Sequence, residues 1–236
     1  MRGDPMKITW LGHSGFRIGI EDAVLLVDPW LTGNPMFPAS RRDEAIRGAT
    51  HILLTHAHGE HAGDAQAIAT ELAIPIAGIH EIAEWLGQTE GVATIGFGKG
   101  GTIDLAGAKV TMVNAVHSSS FDFQGGRPLY AGSPAGFMIA GEGHVIYVSG
   151  DTDVMADMKV FNDLHHPDIG ILCSGGRYTM DMTRAAYAAR TFFEFKTVIP
   201  CHYRTFPILE QSAAKLIEGL PGVKVIEPQV MEPITF

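Results

Sequence analysis

The sequence predicts a single α/β domain built as a layered sandwich, and three observations predict it. Short apolar runs of strand length alternate along the chain with segments of helical spacing. The 28 glycines and 13 prolines supply more turns than a helical bundle needs. No linker, repeat or low-complexity stretch interrupts the 236 residues, which suffice to bury a full core.

The elements follow in order. Residues 7–11 and 16–20 read as strands joined by the turn Gly12-His13-Ser14-Gly15. Glu21-Asp22 makes the next turn, and 23–27 is an apolar strand ending at Asp28-Pro29. Gly33, Asn34, Pro35 and Pro38 make 32–38 a loop, and 41–47 is a solvated helical face. Residues 51–55 form a buried-type strand that runs into His56-Ala57-His58-Gly59-Glu60-His61. Ala65, Ile68, Ala69 and Leu72 recur at helical spacing and predict a helix over 62–73. A strand at 74–79, a helix at 80–86 and strands at 92–95, 101–105 and 109–115 come next. Residues 118–133 are a long loop containing Gly125, Gly126, Gly132 and Pro128. Strands at 135–140 and 144–148 form a hairpin across Gly141-Glu142-Gly143. Helices are expected at 154–164, 183–193 and 208–217, and strands at 169–173, 197–200 and 223–226. Residues 1–6 are set apart as an N-terminal tail and 7–236 as the domain.

Composition narrows the function classes. Lys+Arg 17 against Asp+Glu 26 gives a formal charge of -9, which disfavours a broad nucleic-acid surface. Cys173 and Cys201 cannot make a disulfide framework, so a reducing, cytoplasmic setting is expected. No secretory signal is visible, and no apolar stretch is long enough for a membrane span. The expected partner is a small-molecule substrate, with no nucleic acid and no membrane; oligomeric state stays open.

The chemistry gathers at strand ends. Three imidazoles and a carboxylate within the six residues 56–61 suit a borderline-soft divalent metal. Gly59 lets that loop turn tightly, and the helix after it fixes the exit. His117, Asp151 in Ser149-Gly150-Asp151-Thr152, and His202 each follow an apolar run in the same way, which makes convergence at one sheet edge the expectation.

These motifs carry a family resemblance. Thr55-His56-Ala57-His58-Gly59-Glu60-His61, His117, Ser149-Gly150-Asp151-Thr152 and His202 resemble the metallo-β-lactamase superfamily of metal-dependent hydrolases. Leu11-Gly12-His13-Ser14, Asp28-Pro29, Val116-His117-Ser118-Ser119-Ser120, Gly175-Gly176 and His202-Tyr203 are similar to a branch of small bacterial hydrolases, related to ascorbate-phosphate lactonase and to N-acyl phosphatidylethanolamine phospholipases. The resemblance runs from Lys7 to about Val225. It implies a four-layer αββα sandwich with a dinuclear site between the sheets. Carried over, His56, His58 and His117 hold the first metal. Glu60, His61 and His202 hold the second, and Asp151 bridges. The implied cofactors are two divalent ions, zinc first, with manganese or iron as alternatives. The family motif has Asp where this chain has Glu60. That added methylene predicts a weaker second site, filled after the first.

The implied reaction is hydrolysis of a small ester, lactone or phosphorylated substrate by a metal-activated water, with no serine or cysteine nucleophile. Asp151 and His13 are the catalytic candidates, His13 as proton donor or substrate ligand from its Gly-flanked turn. Asp28 is a candidate for orienting a ligand histidine. Tyr203, Arg204 and Arg177 are candidates for facing substrate; Arg204 suits a carboxylate or phosphate. Cys201 and Cys173 are read as buried non-ligands. His165-His166 read as a helix end, and His51, His80 and His144 as structural. The alternatives are a metal-dependent phosphodiesterase or nuclease, a redox diiron protein, and a non-catalytic metal-binding protein. The diiron branch has glutamate where His58 stands, which disfavours it here.

Overall fold

The computed structural model describes residues 5–121 and 127–236. Most of the expected tail and the Gly125-Gly126 part of the 118–133 loop lie outside the described residues.

The chain makes two halves of the same plan. In the first, β1 (Lys7–Gly12), β2 (Gly15–Ile20) and β3 (Ala23–Val27) form an antiparallel meander. α1 (Arg42–Ile46) then leads to β4 (His51–Leu53), which runs parallel to β3. α2 (Gly59–Ala62) and α3 (Ala65–Leu72) lead to β5 (Ile76–Ile79), and α4 (His80–Glu90) to β6 (Thr94–Phe97), both parallel. In the second half, β7 (Thr102–Leu105) and β8 (Ala108–Asn114) are followed by a two-residue pair, β9 (Ser120–Phe121) with β10 (Leu129–Tyr130). β11 (Ala135–Gly141) and β12 (His144–Val148) complete the antiparallel part. α5 (Asp157–His165), β13 (Ile169–Cys173), α6 (Met182–Phe192), β14 (Thr197–Cys201), α7 (Ala214–Gly219) and β15 (Lys224–Val225) then alternate, with the strands parallel. β16 (Pro233–Thr235) returns to the free edge of β1.

Two seven-stranded sheets result, ordered β16-β1-β2-β3-β4-β5-β6 and β15-β14-β13-β12-β11-β8-β7. α3 and α4 contact the first sheet and α6 the second, giving the four-layer αββα sandwich. Trp10, Phe16, Ile18 and Leu25 of one sheet and Met112, Phe137, Ile139 and Ile146 of the other are fully buried. Phe97 stacks on Phe137 across the interface, with ring centroids 6.1 Å apart. The turns after β2 and β11 clamp each other: Glu21 N donates to Glu142 Oε1 and Glu142 N to Glu21 Oε1. Among the described residues, no helix is long and apolar enough to cross a membrane.

Four sequence expectations need correction. Met6, placed in the tail, is 1% exposed, and its carbonyl accepts from Phe236 N at 3.0 Å. The expected helix over 62–73 is broken at Gly63-Asp64. There the Asp64 carboxylate accepts from Leu31 N, Thr32 N and Thr32 Oγ1 at 2.6–2.8 Å, tying the preceding loop down. The expected helix over 208–217 begins only at Ala214. Its first part is drawn into loop pairing, with Glu210 N donating to Gly175 O and Arg204 N to Glu210 O. The edge strand β16 was not anticipated, because a three-residue segment opened by Pro233 shows no strand period.

Candidate metal centre

The parallel strands β3, β4, β12 and β14 all deliver chain to the same edge. β3 ends at Val27, and the φ of +46° at Asp28 turns the chain there. Asp28 Oδ1 accepts from Thr55 N at 2.8 Å; Oδ2 accepts from Thr55 Oγ1 at 2.6 Å and from His61 Nδ1 at 2.8 Å. A carboxylate only accepts, so the His61 proton on that side sits on Nδ1 and Nε2 faces the site. Thr55 Oγ1, already donating to Asp28, accepts from His56 Nδ1 at 3.0 Å. One aspartate therefore sets the direction of two imidazoles, as the sequence reading proposed for one.

Gly150 makes the turn that presents Asp151. Its φ is +58°, and a Cβ there would lie 2.5 Å from Ala135 O. Only glycine fits both constraints. The next side chain is buried, and Asp151 Oδ2 lies 3.0 Å from His202 Nε2, 3.3 Å from His61 Nε2 and 3.7 Å from His117 Nε2. The backbone beside His117 is tied to this loop, since Val116 N donates to Thr152 Oγ1 and Asp153 N to Val116 O. Gly175 makes room for His202: a Cβ there would lie 1.8 Å from His202 O.

The histidines fall into two tight groups. Ring nitrogens of His56, His58 and His117 lie within 4.8 Å of one another, as do those of His13, His61 and His202. His56 Nε2 and His58 Nδ1 are 3.1 Å apart. Asp151 touches a member of each group and so stands between them. Glu60, expected as a ligand, belongs to neither group. Successive helix residues point about 100° apart. With His61 wholly buried inside the first turn of α2, Glu60 is left half-buried.

Charge in the site is arranged for a cation. Burial alone would lower the pKa of His61, but the Asp151 and Asp28 carboxylates outweigh it and raise it well above the usual histidine value. Burial would raise that of Asp151, but His202 and His61 hold it well below the carboxylate range. Burial, and then His61, hold His56 well below its usual value. Burial, with His202 and His61, pushes His13 down to about 2.

Other candidates disperse. Tyr203 is fully buried and stacks on Trp10 at 5.7 Å, so it belongs to the core and does not face substrate. Arg204 lies over the Tyr203 ring, and Arg177 is exposed. Cys173 and Cys201 are buried free thiols; burial pushes Cys173 up to about 12 and Cys201 well above its usual value. His144 pairs with Asp168 at 2.8 Å, and His166 caps α5 in a left-handed conformation. The sequence reading missed Thr205, which meets His13 Nδ1 at 2.8 Å, and Trp30, whose ring lies edge-on to His13 at 5.5 Å. Neither carries a local signal. Thr55, in contrast, adjoins the cluster.

The residues present fit a bound cation. His13 Nε2, His61 Nε2 and Asp151 Oδ1 are buried without a hydrogen-bond partner. Buried polar atoms are almost always paired, so this concentration in one place marks a site for a ligand that takes lone pairs.

Comparison with known proteins agrees with that chemistry. Residues 24–219 match the family model described as the beta-lactamase superfamily domain. A UPF0173 metal-dependent hydrolase of Cereibacter sphaeroides (strain ATCC 17025 / ATH 2.4.3) is 69% identical over 231 residues, which cover 98% of this chain and 100% of that protein. One from Paracoccus denitrificans is 67% identical over 229 residues, covering 97% and 99%. Among solved structures, the metallo hydrolase Igni18 from Ignicoccus hospitalis superposes with a TM-score of 0.86 at 31% identity over 98% of each chain. The metallo-beta-lactamase fold protein YhfI from Bacillus subtilis gives 0.73 at 15% identity, covering 98% of this chain and 100% of that one, a likeness of fold alone. Identity of this order along almost the full length is more than a shared fold produces, and the chain belongs to the β-lactamase superfamily as a UPF0173 metal-dependent hydrolase.

Proposed function

We propose that this hydrolase cleaves a small ester or lactone with water activated between two divalent cations, zinc foremost and manganese or iron as alternatives. The observation that carries the reading is the position of Asp151 Oδ2, within 3.0–3.7 Å of His61, His117 and His202, between the two histidine groups. In this reading His56, His58 and His117 would hold the first cation, His61 and His202 would help hold the second, and Asp151, beside both groups, would serve each. Two such cations supply Lewis acidity and lower the pKa of water toward about 7. Asp28 and Thr55 hold the imidazoles in direction, and Asp151 Oδ1, buried and unpartnered, is left to accept a hydrogen bond from water in the site.

The substrate class is read from the wall of the site. Trp30 and Phe206 stack at 6.1 Å, and both lie within 6 Å of the His13 ring. Val116 beside His117 is 52% exposed. This apolar rim suits a substrate with a hydrocarbon or aromatic part next to its reacting carbonyl. A phosphorylated substrate is the second reading. It is favoured by Arg177 in a cleft of about 320 Å³ that also holds Val116 and Thr152. The formal charge of -9 supports a small molecule over nucleic acid, and two buried free thiols support a reducing, cytoplasmic setting.

The test is a panel of aryl esters, lactones, phosphomonoesters and phosphodiesters offered to protein reconstituted with zinc or manganese. Turnover of apolar esters or lactones, with KM raised by Trp30→Ala, supports the reading. Turnover confined to phosphodiesters refutes it.

A further inference from the structure

We propose that a cleft on the outer face of the first sheet, separate from the metal centre, binds a small organic phosphate through Arg17, Lys7 and Arg47. The cleft encloses about 520 Å³, a volume usual for small-molecule sites. It shares no residue with the histidine groups.

Its position follows from the strands. Ile8, Phe16 and Ile18 turn into the core, so the alternating residues Lys7, Thr9, Arg17 and Gly19 stand on the outer face. On that side α3 and α4 cover β4, β5 and β6, and β1 to β3 form the floor of the cleft. Thr9 is opposite Arg17 and Lys7 opposite Gly19, which makes Lys7 and Arg17 diagonal neighbours.

The cations of the cleft have no acidic partners. Arg17 is half-buried, and burial pushes its guanidinium below the usual arginine value. It uses one of its N–H donors, from Nη1 to Ala45 O at 3.2 Å. Among the described residues, none of Arg17, Lys7 and Arg47 forms an ion pair, whereas Arg41 and Arg42 nearby do. The carboxylates around the same cleft are mostly engaged. Glu44 accepts twice from Arg41, at 2.8 and 2.5 Å, and Glu21 and Glu142 each accept from the other's backbone N–H. Asp22 is exposed to water. A partly desolvated guanidinium that no acid neutralises is costly until an anion completes it. Two guanidinium forks and an ammonium suit the three oxygens of a phosphate ester better than the two of one carboxylate.

Gly19 is an independent observation. Glycine weakens a strand, and inside one it marks a bulge, a bend or a place where a ligand or another backbone comes close. The pairing of β2 with β3 runs without a shift through Gly19, and no positive φ requires glycine there. A Cβ at that position would meet nothing within 4 Å. The open space above Gly19 is therefore part of the cleft, beside Lys7 and Val24, its partners in register. Val24 and Pro233 give the cleft an apolar side for the carbon body of the ester.

The experiment titrates the zinc-loaded chain by calorimetry with ribose 5-phosphate, inorganic phosphate and citrate. Wild type is compared with Arg17→Gln and Gly19→Val, with zinc content measured and thermal melting as the check of fold. Valine favours strands, so Gly19→Val fills the floor without removing a charge or weakening β2. Neither variant touches the metal centre, so phosphate held by zinc persists in both. Wild type should bind ribose 5-phosphate at a site whose affinity falls by about 10-fold or more in each variant, as expected for loss of a charge-assisted hydrogen bond or of the space itself. Added salt should weaken it. Inorganic phosphate should compete there with lower affinity. Wild-type affinity for ribose 5-phosphate in either folded variant would assign the binding to the metal centre and overturn the proposal. No saturable binding, citrate bound more tightly than the ester, or inorganic phosphate bound as tightly would overturn it too. So would sedimentation showing a wild-type dimer that Gly19→Val separates, since a second copy would then cover the cleft. If Arg17→Gln does not fold, Gly19→Val decides.

Discussion

Replacing Asp28 by asparagine keeps the volume and the left-handed backbone but changes one acceptor into a donor. In the native site Oδ1 takes the Thr55 amide, and Oδ2 takes both the Thr55 hydroxyl and His61 Nδ1–H. The asparagine oxygen must stay opposite the Thr55 amide, since two N–H groups cannot face each other there. Its NH2 then faces Thr55 Oγ1 and His61 Nδ1. The hydroxyl can rotate and accept. His61 can accept only by moving its proton to Nε2, the nitrogen that faces Asp151 at 3.3 Å. A protonated Nε2 cannot bind a metal. Outer partners of this kind are worth about 10–100-fold in metal affinity, or about 1.4–2.7 kcal/mol. The cost to folding should be smaller, about 2 kcal/mol or less, because each donor keeps an acceptor or a rotamer that finds one. The assay is a chelator-competition titration of zinc into wild type and Asp28→Asn, with melting curves of both apo proteins. The second equivalent should weaken more than the first, because His61 belongs to the second group. Affinity within twofold of wild type at both sites, in a variant that melts normally, would refute the claim that Asp28 sets the His61 tautomer.

Other outcomes follow from the same structure. Exhaustive chelation should abolish hydrolysis, while Cys201→Ala and Cys173→Ala should keep most of it, since burial holds both thiols protonated at neutral pH; full activity with metal confirmed absent would contradict this. Apo protein should lose stability as pH falls from 7 to 5.5. His13 and His56 stay neutral when folded but take up protons when unfolded below about 6.5, and this outweighs His61, whose raised pKa contributes fully below that value and is lost only as pH rises. The net loss is about 2 kcal/mol, several degrees in calorimetric melting temperature; an equal or higher melting temperature at pH 5.5 would contradict it. Gly175→Ala should displace His202, because its Cβ would meet His202 O at 1.8 Å and Nδ1 at 2.9 Å. We expect a loss of about 3 kcal/mol or more in stability together with weaker metal binding, checked by urea melts and metal content; wild-type values of both would show that the backbone yields freely there.

By itself the sequence determined the kind of fold, the family's kind of chemistry and most of the residues that the fold gathers at the candidate site. Strand period, helical spacing and turn residues act over a few positions, so β1 to β5, the 141–143 hairpin and α6 were legible to within a residue or two. The cluster at 56–61 was legible because its ligand types are packed into six consecutive residues, and the family motifs linked it to His117, Asp151 and His202. What followed only from the tertiary structure is what depends on residues far apart in the chain meeting at a distance that no local rule sets. Asp28 reaches Thr55 and His61 because β3 and β4 are parallel neighbours. The expected helices at 62–73 and 208–217 were cut short because Asp64 and Glu210 bond to other loops. Thr205 meets the ring of a histidine 192 positions away, across two halves that meet only when the sheets pack. That His13, and not Glu60, lies in the tight group with His61 and His202 has the same origin: residue type is written locally, but which side chains come together is decided by the turn each sits on and by what that turn is packed against.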